Sequence, residues 1–495
     1  MPRYRGESPG TEVNSMTKKM TQGSPIRLIL GFTLPLLAGM LFQQLYNLVD
    51  TLIVGRFLGI NALAGVGSTA SITFLVLGFC MGVCSGFSIP VARSFGAGDQ
   101  LRLRQYVVNG SLLAAGFAVV MTVVTMLLCR TILQIMGTPA ECIEEAYTYL
   151  QVIFAGIPAA FLYNLLSGYL QALGDSRTPL FFLVFSSIVN VALDLFTILN
   201  LNMGVFGAAL ATVVSQALSG MLCLLWIRRR YPVLRFGRSD LVVRKDRMAE
   251  LCRNGVPMGL QYSITAIGNV VLQAGMNSLG AAAVAASTAG TKISMFLACL
   301  PNALGTTMAT YCAQNVGAGR DDRLTPGVIS ASLLGFGYTL LALGIALVAG
   351  VPLSTLFLNG EDAARLAGMA QQYLLINVIA YPLLTLVNVV RCSIQGMGFS
   401  LFSICSGIME MIARTLAGVV LIPMFGYAGA CVGGPLAWLF ADIFLIPAFF
   451  MCKKTLLRRV RPEHVARVVH PAQHSAAHVY TSPSLTLARH HVTAL

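Results

Sequence analysis

The sequence predicts an all-α integral membrane protein: twelve transmembrane helices in two six-helix lobes related by a pseudo-twofold axis. Three observations point there. The 495 residues are 56% hydrophobic and only 11% charged, with a mean hydropathy of +0.75, where soluble domains are about 25% charged. Apolar runs of about 20 residues recur along the chain, the length a helix needs to cross a bilayer. Finally, the two halves repeat one another.

Apolar runs place helices near 28–56, 62–88, 106–129, 146–173, 178–201, 204–227, 255–280, 282–314, 327–350, 367–397, 400–423 and 427–451. Short breaks such as "GINA" and "LGDSRT" join neighbours as antiparallel hairpins. The divisions expected are a tail (1–24), an amino-terminal lobe (25–228), a basic linker (229–254), a carboxy-terminal lobe (255–452) and a tail (453–495), basic at first and then disordered. Twelve spans put both termini on one side. That side collects Arg93, Arg102, Arg104, Arg177, the run from Arg228 to Arg253, Arg320, Arg323 and the cluster from Lys453 to Arg467. The opposite loops hold Arg56, Arg130 and Arg365. The positive-inside rule then predicts a multi-pass membrane protein with both termini cytoplasmic. The net charge of +14 therefore reads as topology and contact with membrane lipid, not as nucleic-acid binding.

The repeat is residue by residue. "ARSFGAGD" after the second helix answers "AQNVGAGRD" after the eighth. Tyr149, Pro158, Asn164, Gln171 and Gly174 fall at one constant spacing from Tyr373, Pro382, Asn388, Gln395 and Gly398. Six spans per repeat is an even number, so both halves enter from the same side and the axis runs along the membrane normal, as in transporters with parallel repeats.

Charge inside such helices costs roughly 2.5–3.5 kcal/mol per residue on insertion scales, and by default it marks function. In "LFQQLYNLVDTLIVGRFLG", Asp50 lies about 10 Å below one end of the first helix, at 1.5 Å per residue. Asp194 and Thr212 fall at a similar depth; Asn190 is one turn from Asp194, and Asn47 about one turn from Asp50. Two carboxylates with amides and a hydroxyl, and no base from their own lobe, are expected to take a proton or an alkali cation. In the other lobe Glu410 and Arg414 are spaced i, i+4 and Lys292 lies at similar depth, which predicts a structural charge network. Arg391 is expected to snorkel toward the nearer surface; Asp442 has no assigned role. Pro35 shares the first helix with Asp50 and permits a bend there.

Neither metal nor cofactor is expected. All six histidines (His464, His470, His474, His478, His490 and His491) lie at the carboxy terminus, and most of the 12 cysteines fall within apolar helices. With no metal-spaced ligands, nucleophile–base pair or G-x-x-x-x-G-K-[ST] sequence, an enzyme or ATP-driven pump is not expected.

"QQLYNLVDTLIVGRFLG…ALAGVG", the paired "GAG" loops and the repeat resemble the multidrug and toxic compound extrusion (MATE) transporters over about residues 25–452. "SIVNVALDLFTI" and "GAALAT" are most similar to the bacterial DinF and MepA-like branch. The resemblance implies a secondary multidrug efflux antiporter, a monomer, that exports small organic and often cationic compounds against inward H⁺ or Na⁺. Asp50 would be the coupling carboxylate of the first helix, Asn190, Asp194 and Thr212 would complete the ion or proton site, and Pro35 would be a bending point. The acids that the NorM branch carries on its seventh and tenth helices are absent. The alternative is a flippase or exporter of lipid-linked sugars, which needs a cationic cavity; Arg391 and Lys292 discriminate.

Overall fold

The computed structural model describes residues 19–58, 62, 65–67, 69–135, 142–234, 242–358 and 363–469, with side chains to 458. Every regular element among them is helical. In chain order they are α1 (Pro25–Phe57), α2 (Ala70–Ala97), α3 (Gln100–Ile135), α4 (Ile143–Ala155), α5 (Ile157–Ala172), α6 (Arg177–Leu195) and α7 (Gly204–Arg230). Then follow α8 (Lys245–Asn277), α9 (Ala281–Leu297), α10 (Cys299–Gly317), α11 (Leu324–Thr355), α12 (Ala363–Ile379), α13 (Tyr381–Gly396) and α14 (Leu401–Leu416). The chain ends in α15 (Ile422–Phe425), α16 (Tyr427–Cys431) and α17 (Gly433–Val469).

Among the described residues eight continuous helical stretches are long and apolar enough to cross a membrane, two of them running through a π-helical turn (Arg177–Asn200 and Leu401–Phe425). Three more spans are bent pairs: α4 with α5 (48°), α9 with α10 (43°) and α12 with α13 (47°). The remaining expected span, α8, has 33 residues, but Gln261, Asn269, Gln273 and Asn277 make it the least apolar. It packs chiefly on α2 and α14; Gln261 is buried there, whereas Asn269, Gln273 and Asn277 are exposed.

Local chemistry sets the breaks, and it repeats. Pro158 and Pro382 open α5 and α13 in the first turn, where a missing N–H costs nothing. Gly98 and Gly319 end α2 and α10 with positive φ (73° and 67°), as Gly174 and Gly398 end α5 and α13 (83° and 85°). After Gly98, the Asp99 N–H reaches back to the Ser94 carbonyl at 3.0 Å, the Schellman closure. A π-helical turn follows α6 (Phe196–Asn200) and another follows α14 (Ala417–Leu421).

Several boundaries differ from the sequence reading. The helix expected at 255–280 begins at Lys245, because "KDRMAEL" is made of helix formers that continue the apolar face. Ten residues assigned to the linker thus belong to α8, and 235–241 lie outside the described residues. The last helix runs on to Val469 instead of ending near 451, through the helix-forming "KKTLLRR". The rest of the tail, with five of the six histidines, lies outside the described residues, as does most of 1–24. Residues 1–452 make up one compact unit and 453–495 another.

The lobes meet through α1 on α10 and α2 on α8, pairs that the repeat exchanges. At α2–α8 the backbones touch. A Cβ on Gly82 would lie 2.6 Å from the Met258 carbonyl oxygen, and one on Gly259 would lie 2.9 Å from that of Phe79. Only glycine permits this approach.

The end of the bundle where α1 begins, here the terminal face, carries most cross-lobe polar bonds. The Glu250 carboxylate of α8 accepts from the Tyr106 hydroxyl of α3 and pairs with Arg93 of α2 at 3.4 Å. Arg247 donates to the Tyr106 oxygen at 3.0 Å. Gln314 of α10 donates to the Ala172 carbonyl of α5 at 2.8 Å and accepts from the Met20 N–H at 2.8 Å. The lobes are latched at this face.

Candidate functional site

Asp50 of α1 and Asp194 of α6 face one another inside the amino-terminal lobe, within side-chain contact. Asp194 is wholly buried, and Asp50 Oδ1 and both Asp194 oxygens have no hydrogen-bond partner. No salt bridge among the described residues includes either acid. An unpaired carboxylate in so dry a place costs several kcal/mol unless a proton or cation neutralises it.

Around the pair, Thr212 of α7 is a hub. Its Oγ1 accepts from Asn190 Nδ2 at 3.4 Å, lies 3.4 Å from the Tyr46 hydroxyl and donates to the Ala208 carbonyl at 3.2 Å. Asn190 Oδ1 is buried and unbonded, a further oxygen available to a cation. Ile53, Val54, Ile198 and Val205 pack between the site and the far end of the bundle, with Tyr149 against them. The π-helical turn begins two residues after Asp194, and Thr197 within it donates to the Leu193 carbonyl at 2.8 Å. A π-turn widens the helix locally, and such turns gather at functional sites.

Of the five residues proposed from sequence, the structure brings Asp50, Asn190, Asp194 and Thr212 together. Asn47 is exposed and turned away; only its backbone carbonyl is used, by Thr51 at 2.8 Å. Tyr46, four residues before Asp50, takes its place: its hydroxyl lies against Thr212 Oγ1. Tyr149, from α4, is a further neighbour that depth along the helices does not point to; it packs on the apolar cluster of Ile53, Val54, Ile198 and Val205. Among the described residues no group of three His, Cys, Asp or Glu side chains could hold a metal ion.

In the carboxy-terminal lobe the charge network has different members from those expected. Glu410 accepts from Arg414 at 3.1 Å and from Arg391 at 2.8 Å. Arg391 also donates to Asn388 Oδ1 at 3.0 Å. Arg391 therefore does not snorkel: Glu410 offers two oxygens in a dry site, and Arg414 uses one of them. Lys292 is exposed and forms no salt bridge among the described residues, because both Glu410 oxygens are taken by guanidinium groups. Asp442 is buried with both oxygens unbonded.

Pro35 lies within α1, which remains one helix from Pro25 to Phe57. Two residues earlier, Thr33 is hydrogen-bonded to Thr307 of α10 at 2.8 Å. One turn later, Gly39 packs against Leu180 and Leu183 of α6. The proline thus separates a stretch tied to the carboxy-terminal lobe from a stretch packed in the amino-terminal lobe.

The MatE family profile matches residues 35–196 and 257–425, one match per lobe. The probable multidrug resistance protein YoeA of Bacillus subtilis is 27% identical over 90% of this chain and 98% of its own length. An FAD transporter of Shewanella oneidensis is 24% identical over 79% and 88%. In three dimensions, the outward-facing conformation of a multidrug resistance MATE family transporter of the MOP superfamily aligns with a TM-score of 0.83 at 22% identity, over 88% of this chain and 98% of that one. At that identity the likeness speaks for the fold alone.

Proposed function

Because this chain belongs to the MatE family of multidrug efflux transporters, we propose that it exports small organic compounds, often cationic, by antiport against inward H⁺ or Na⁺. The carrying observation is the facing pair in one lobe, a half-buried Asp50 and a fully buried Asp194, with Asp50 Oδ1 and both Asp194 oxygens buried and unbonded and no basic partner among the described residues. Charge held so expensively is useful when it is temporary. A proton or Na⁺ entering from the far end would neutralise the pair, and its departure toward the terminal face would restore the charge. Exchange then requires that the two lobe arrangements bind the ion unequally.

The terminal face is the cytoplasmic one on this reading, since the basic residues gather there, in a bacterial inner membrane and with one chain as the working unit. The phosphate-handling alternative, an exporter of lipid-linked sugars, needs uncompensated cations in the cavity. Of the two discriminating cations, Arg391 is claimed by Glu410, which favours the multidrug reading, while Lys292 is exposed and in no salt bridge among the described residues and so does not discriminate. Reconstituted into liposomes, the protein should drive drug efflux from an imposed pH gradient or an imposed Na⁺ gradient. Efflux that follows neither gradient would refute antiport.

A further inference from the structure

A cavity lies apart from the carboxylate site. It is a groove of about 1070 Å³ between α3, α5 and α7, toward the terminal face. Its walls are apolar: Ala114, Ala115 and Ala118 of α3 face Phe161, Leu165 and Leu166 of α5. At the rim stand Arg228 and Arg229, both exposed. Arg104, whose Nε donates to the Val233 carbonyl at 3.4 Å, adds a third cation beside that rim. Thr212 is three turns up α7 from Leu224 of the groove, roughly 18 Å away, so the coupling carboxylates take no part.

We propose that this groove is a binding seat for one anionic phospholipid of the leaflet on the terminal face, acyl chain along the alanine–leucine walls and phosphate on Arg228 and Arg229. Small side chains on α3 leave a trough where a smooth helix face would have none. Water in it would find almost no hydrogen-bond partners, whereas a hydrocarbon chain fills it without loss. Charge at the mouth then chooses the headgroup: basic pockets between transmembrane helices on the cytoplasmic side hold anionic lipids in this way. Arg228 and Arg229 already have neighbours in the fold. A guanidinium carries five N–H donors, though, and can take a phosphate alongside them.

The test uses the purified full-length protein in detergent, titrated with phosphatidylglycerol, phosphatidylcholine or glycerol phosphate. The readouts are the unfolding temperature and, by native mass spectrometry, the lipids retained. Phosphatidylglycerol should raise the unfolding temperature and leave one tightly held lipid, because a ligand that binds only the folded state stabilises it. The double variant Arg228→Gln/Arg229→Gln and the groove-filling variant Ala115→Trp should each lose about half or more of that shift. Arg253→Gln, an exposed cation of the same face outside the groove, should keep it. Equal shifts from phosphatidylcholine, or from glycerol phosphate without acyl chains, would overturn the proposal. So would undiminished retention in both groove variants, or equal loss in Arg253→Gln. None of these readouts requires drug transport, so the lipid seat and the antiport reading stand or fall separately.

Discussion

The Thr33 hydroxyl of α1 lies 2.8 Å from the Thr307 hydroxyl of α10, a buried bond between the lobes just before Pro35. Thr307 in turn donates to the Ala303 carbonyl at 2.8 Å, so its proton is committed and Thr33 is the donor across the interface. One helix is thereby fastened to both lobes, with a missing backbone N–H at the join.

If α1 flexes at that join during transport, Pro35→Ala restores a backbone hydrogen bond and favours the straight helix. Removal of an interior proline is worth up to about 3 kcal/mol of helix propensity. The variant should unfold at a higher temperature, yet export drug at least about fivefold more slowly, the lower range of typical coupling energies. Ion binding at Asp50 should be unchanged. Wild-type efflux rates would mean that the lobes move as rigid bodies.

Glu250 gathers Tyr106, Arg93 and Arg247 where the lobes are latched. Its side chain is 33% exposed, so its ion pairs are screened and the hydrogen bond from Tyr106 matters most. Glu250→Gln weakens the latch by roughly 1 kcal/mol, a several-fold shift toward an opened terminal face. Spin labels placed across that face should report a larger population of long distances. An unchanged distance distribution would remove Glu250 from the gate.

Glu410→Gln should act on stability before transport. It leaves Arg391 and Arg414 buried without their acid, a loss of about 3–5 kcal/mol where a buried pair is broken. Thermal unfolding in detergent should show a clear drop in midpoint. Lys292→Gln, at an exposed position, should change stability by about 0.5 kcal/mol or less. Equal effects would return Lys292 to the network.

Much of this was legible in the sequence because membrane insertion simplifies it. Apolar length gives the spans, and the constant offset between Tyr149, Pro158 and Gly174 and their partners Tyr373, Pro382 and Gly398 gives the lobes. Asp50, Asn190, Asp194 and Thr212 could be grouped by depth alone, since one-dimensional position along a spanning helix is nearly a spatial coordinate. Rotation about the helix axis is not given by depth. Depth therefore groups Asn47 with Asp50 although its side chain is exposed, and it leaves Arg391 free to point to the surface when in the fold it turns onto Glu410. The groove was invisible for the same reason: alanines on α3 form a trough only once α5 and α7 are placed against them.

The most direct measurement records drug flux and ion flux together in liposomes containing wild type, Asp50→Asn or Asp194→Asn. Each substitution keeps the shape of the side chain and removes its charge. Coupling through the carboxylate pair predicts that both variants fold and bind drug, while gradient-driven export and the matching H⁺ or Na⁺ influx fall together by about tenfold or more, the cost of losing at least 1.4 kcal/mol of coupling. Export and ion influx at wild-type levels in Asp50→Asn would contradict it.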